Sequence, residues 1–176
     1  MVVVAIIGVL AAVAVPNYQK FQAKARQTEA KSGLGNIQAV EGAAAVDGNT
    51  FTSCIRDIGF ANTASTRYYA MGFETGVAVG TGCGPSGSGS CLLLYVSTSP
   101  TGTACSSAVG LQAQFLATTA AGKGTTAGNG QLTGTAITNL LFTATAAGSI
   151  SSSSVNSYDV WSISNSGGIT QVTNGL

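Results

Sequence analysis

The sequence contains no histidine and very little charge: seven basic and six acidic residues among 176, or 7%, against about a quarter in an ordinary soluble domain. Without histidine the commonest general base is missing. The carboxylates Glu29, Glu41, Asp47, Asp57, Glu74 and Asp159 are scattered and match no calcium-loop spacing. No serine stands in a GxSxG elbow, and the glycine-rich "GTGCGPSGSGSC" lacks the lysine of a phosphate loop. Enzyme is therefore the least supported class, and nothing calls for a cofactor or a metal; no CxxC pair is present either. A net charge of +1 gives no electrostatic basis for an obligatory nucleic-acid or small-molecule partner. Beyond Glu74 the only charges are Lys123 and Asp159. So neutral a surface favours association, which suits a subunit held in a polymer better than a free monomer.

What the chain does have is an uncharged opening, "MVVVAIIGVLAAVAVP", interrupted by Gly8 and closed by Pro16. As a helix it is about 22 Å long, short of a bilayer core of about 30 Å. It reads as a cleavable signal, with "AVA" at Ala12 to Ala14 as the small-residue site but no basic residue before it. It also reads as a buried core helix, or as part of a longer apolar helix with residues upstream.

Directly behind it, "NYQKFQAKARQTEAKSGLGNIQAVEGAAAV" is polar and helical. Ala30, Leu34, Ile37, Val40 and Ala44 recur at steps of three and four, which predicts one apolar face docking a globular part. Gly33 and Gly35 each weaken the helix by about 1 kcal/mol relative to alanine, which suggests close packing there. Lys20, Lys24 and Lys31 gather on one side, and Glu29 follows Arg26 by three and is placed to pair with it. These charges form a solvated face, or they set the register between copies in a polymer. Pro16 predicts a kink or an opening, and "DGNT" from Asp47 ends the helix.

The remainder alternates strand-like runs with low-complexity connections. "RYYAMGF", "CLLLYV", "LQAQFLA" and "NLLFTAT" are bounded by turn formers. Tyr158 to Ser164 and Ile169 to Thr173 flank "NSGG" as a hairpin, with Trp161 and Ile163 on one face turned to the helix. The expected fold is α+β: a long N-terminal helix over residues 1–47, packed on an antiparallel sheet in a β-rich head over 48–176. Cys54, Cys83, Cys91 and Cys105 all fall in the head, an even count that suits disulfides in an exported protein. Pairing Cys83 with Cys91 closes the "GPSGSGS" loop, and pairing Cys54 with Cys105 ties an early loop to the sheet; the other connectivities stay open. "TTAAGKGTTAGNG" and "AAGSISSSSVNS" read as exposed loops, and Ser151, Ser152, Ser153 and Ser154 are candidates for O-linked sugar.

"MVVVAIIGVLAAVAVPNYQKFQAKARQTEAK" resembles the N-terminal region of type IV pilins, in particular major pilins of the deltaproteobacterial and Bdellovibrio-like kind. "RYYAMGF" and "YDVWSISNSGGITQVTNGL" resemble later segments of such proteins. On this resemblance the chain starts about six residues inside the mature protein, and restoring them gives an apolar helix of about 21 residues, close to a membrane span. The glutamate with which the family pairs a neighbour's terminal amine has no counterpart, since Ala5 stands fifth.

The resemblance implies a lollipop-shaped structural subunit that polymerises with identical copies into an extracellular filament for surface motility, adhesion or cell contact. It also implies a stage in the inner membrane and assembly machinery driven by cytoplasmic ATPases. Val3, Ile6, Ile7 and Leu10 would then pack in the filament core, while Gly8, Ala11 and Ala12 permit close helix approach. Gly8 and Pro16 bracket a segment that loses helicity on assembly, and Tyr18 and Phe21 pack between neighbouring helices. The rival readings are a type II secretion pseudopilin, which shares the N-terminal pattern, and a secreted envelope binding module whose signal peptide ends near Ala14.

Overall fold

The first element, α1, runs from Val2 to Gly48. Its ending follows from local chemistry: Asn49 takes the left-handed conformation, φ 52° and ψ 32°, which asparagine tolerates better than most residues and which stops the helix. The helix continues through both Gly8 and Pro16. The opening expected at Pro16 is thus not present in the isolated chain, where the flanking alanines and aliphatic residues hold the helix on both sides of the proline.

The protein is described here from a computed structural model over residues 1–52, 58–60, 67–73, 81–83, 89–90, 114–115, 132–150 and 158–175, with backbone alone for 81–83, 89–90 and 114–115. The strands are β1 Tyr69–Gly72, β2 Thr81–Cys83, β3 Gly89–Ser90, β4 Gln114–Phe115, β5 Ala136–Ile137, β6 Phe142–Gly148, β7 Asp159–Ser164 and β8 Thr170–Thr173. Of the runs expected to be strands, "CLLLYV" lies outside the described residues. The "NLLFTAT" run starts its strand at Phe142 and continues it to Gly148.

Six strands form one antiparallel sheet in the order β4-β1-β6-β7-β8, with β5 also paired to β6. β6 is its centre: β1 pairs its Thr145–Gly148 end, β5 its Phe142–Thr143 end, and β7 its residues Thr143–Gly148. The β7–β8 hairpin turns through Gly167 and Gly168, both at positive φ (79° and 86°), which glycine adopts without steric cost.

Strand alternation splits the sheet into two faces. Tyr69, Met71, Phe142, Ala144, Ala146, Trp161 and Ile163 meet Ala23, Ala30, Leu34 and Ile37 of α1 in one core. Ala70, Ala147 and Val160 point the other way and pack with Leu132. The fold is α+β, as expected, and the second half of the helix belongs to the core of the head. The predicted docking stripe is present: Ala30, Leu34, Ile37 and Ala44 are buried and Val40 is partly buried against them. Gly33 is tight against the sheet, for a Cβ there would lie 2.4 Å from Met71 Sδ; Gly35 has nothing within 4 Å.

Candidate functional site: the apolar arm and its mounting

The polar residues of α1 between Arg26 and Glu41 mount the helix on the head. Arg26 donates from its guanidinium to the Ile150 carbonyl at 2.8 Å and lies 4.7 Å from the centre of the Tyr68 ring. The Glu29 carboxylate accepts the backbone N–H groups of Tyr68 (3.0 and 3.2 Å) and Tyr69 (3.3 Å) at the entry to β1. The expected Arg26–Glu29 pair is therefore replaced by contacts to the head: each charge satisfies backbone groups that strand pairing leaves over, a stronger use than a solvated pair. Lys31 is exposed and sits 4.6 Å above the Trp161 ring, and Lys20 and Lys24 are exposed as well, so the three lysines stay on the solvent side of the helix.

Gln27, Glu41 and Asp159 are buried polar anchors that sequence reasoning missed. Asp159 opens β7 with no exposed surface and gathers five donors. Tyr69 Oη donates to it at 2.5 Å, Trp161 Nε1 at 2.6 Å, Gln171 Nε2 at 2.7 Å, and both Gln27 Nε2 and Gly175 N at 3.3 Å. Burial, together with this carboxylate, raises the Tyr69 phenol above its ordinary range, so it stays a donor. Glu41 is the other buried carboxyl. Its Oε2 accepts the Thr52 N–H at 3.2 Å, whereas Oε1 has no partner. Burial pushes its pKa from 4.5 up to about 8, partly opposed by the Thr52 hydrogen bond. The sequence signal for both helix anchors was available: Gln27 and Glu41 fall on the three-and-four stripe itself.

Below Ala23 the same helix has no covering. From Val2 to Phe21 its large apolar side chains are 55–73% exposed; α1 as a whole is long and apolar enough to cross a membrane, and its most apolar stretch is wholly unburied. The expected core residues Val3, Ile6, Ile7, Leu10, Tyr18 and Phe21 all lie on this arm. Gly8 has nothing within 4 Å, as its place on a bare rod requires. Covering ten or so such side chains would contribute on the order of 15 kcal/mol, as much as the whole stability of a typical domain.

The cysteine expectations are touched only at Cys83, whose backbone in β2 pairs with Gly89 of β3. Cys54, Cys91, Cys105 and Ser151 to Ser154 lie outside the described residues. No metal-binding group of three or more His, Cys, Asp or Glu occurs among the described residues.

Together these features describe one class of molecule: an α+β head carried on a helix whose other half is apolar and uncovered. Across 80 residues the chain is 39% identical to the type IV major pilin protein PilA of Myxococcus xanthus (strain DK1622). The match takes in 46% of this chain and 35% of that protein, so the chain is similar to roughly a third of that relative. No protein-family model matches the chain.

Proposed function

We propose that this chain is the major structural subunit of a type IV pilus, polymerising with identical copies into an extracellular filament for surface motility, adhesion or cell contact. The uncovered apolar arm carries this reading, and the similarity to a type IV major pilin supports it. Before assembly the arm lies in the inner membrane; assembly machinery then transfers it from lipid to a bundle of equivalent arms. Apolar side chains exchange one dry environment for another, so the cost of wetting them is avoided.

In the bundle Val3, Ile6, Ile7 and Leu10 interdigitate, Gly8, Ala11 and Ala12 let backbones approach, and Tyr18 and Phe21 fill space between neighbours. By the resemblance to pilins, Gly8 to Pro16 is the segment that loses helicity on packing, although it is helical in the isolated chain. Residues 48–176 form the outward head, closed by Cys83–Cys91 and Cys54–Cys105 and open to glycosylation at Ser151 to Ser154. The role is structural rather than enzymatic.

Electron microscopy of material sheared from cells, with antibody to the head, tests the reading. Labelled filaments are expected, and they should vanish in a Val9→Asp variant that still accumulates in the membrane. A chain found only as dispersed, unpolymerised protein would overturn it. Mass spectrometry separates the secreted module, whose mature chain would begin near Val15, from a filament subunit that keeps the apolar run.

A further inference from the structure

Most charged side chains of the described residues are occupied within the chain. Arg26 and Glu29 hold the head, Lys31 lies on Trp161, Glu41 and Asp159 are buried, and Arg67 makes contacts of its own. Among these residues Lys20, Lys24 and Asp47 are exposed and make no such contact. All three stand on α1, on a stretch with no proline between them. At about 1.5 Å and 100° per residue, Asp47 lies about 35–40 Å further along the axis than the lysines and roughly 140–180° around it. The lysines and the aspartate thus flank the head-docking stripe on opposite sides of the helix.

We propose that Lys20 and Lys24 of one copy pair with Asp47 of a second, parallel copy of this chain, and that this contact sets the axial stagger of neighbours at about 35–40 Å. This rests on the polymer reading above and adds the partner surface and its register. Opposite flanks decide the symmetry. A two-fold pair would bring one flank against itself, lysine against lysine. A parallel neighbour shifted along the axis instead meets lysine with aspartate, and leaves its own other flank open to the next copy. Such a heterologous contact propagates rather than closes. Exposed ion pairs add little affinity; charge complementarity instead penalises wrong registers, while the apolar arm supplies the adhesion.

Filaments of the full-length protein, treated with a carbodiimide that joins an amine to a carboxylate in direct contact, test this. Lys20 or Lys24 is expected coupled to Asp47, in a ladder of covalent multimers that Asp47→Asn abolishes. Within one chain these groups are too far apart to couple. Asp47→Lys should lower filament yield at least tenfold, and combining it with Lys20→Glu and Lys24→Glu should restore the yield. Lysine at a helix C-terminus is favoured by the helix dipole, so loss of filaments in Asp47→Lys would not reflect unfolding. Filaments that form without the coupled peptide, or an Asp47→Lys variant that assembles normally, would overturn the pairing and leave the polymer reading standing. Absence of filaments from the unaltered chain would overturn both.

Discussion

Two buried carboxyl groups serve opposite ends in the head. Asp159 is an acceptor hub: its two oxygens take donors from α1, β1, β7, β8 and the segment after β8, so this buried side chain is satisfied by hydrogen bonds. Asp159→Ala should destabilise the head by about 3 kcal/mol, because it strands several buried donors at once. The midpoint of urea unfolding, followed by the single tryptophan, reads this directly. Glu41 has one bond and an orphaned oxygen. With a folded pKa of about 8 against 4.5, the folded chain keeps a proton that the unfolded chain releases between those values. Stability is then complete below about pH 4.5 and falls by about 1.4 kcal/mol per pH unit until about pH 8. Glu41→Gln should flatten that slope and raise the melting temperature at pH 8, with little effect at pH 4. A variant with an unchanged pH slope would show that Glu41 is ionised when buried.

Among the elements, the contact of β1 with β6 is the least forgiving. Gly148 faces Tyr69 in that pair, and a Cβ there would lie 2.6 Å from the Tyr68 carbonyl oxygen and 2.7 Å from the Tyr69 ring. Gly148→Ala should cost about 2 kcal/mol through overpacking. Gly35→Ala meets nothing within 4 Å and should stabilise the helix by up to about 1 kcal/mol; thermal unfolding of the two variants side by side checks both signs. The helix, its docking stripe and the final hairpin were legible in the sequence because each repeats a period over many residues or carries a turn dipeptide. Gly33 was legible as a close approach, but Gly35 beside it was not distinguishable, since packing depends on which way the sheet meets the helix. The partners of Arg26 and Glu29 were out of reach for a similar reason. Those partners are backbone groups at Ile150, Tyr68 and Tyr69, far along the chain, and nothing local in the sequence announces them.

At the scale of the whole molecule, the helix divides near Ala23 into two halves that face different environments. Above it, removal of any turn would open the core of the head, since Ala30, Leu34 and Ile37 have no exposed surface. Below it, no residue of the arm is buried in its own chain, so the arm should add nothing to the head's stability, and on the polymer reading it is the surface that drives association. A fragment beginning at Gln22 keeps every buried residue of α1 and should fold as a monomer in sedimentation experiments, melting within a few degrees of the head in the full chain. The full chain should require detergent or polymerise. If the fragment associates as strongly as the full chain, the driving surface lies on the head rather than on the arm. A fragment that is monomeric but unfolded would instead mean that the arm stabilises the head, against its complete exposure in this structure.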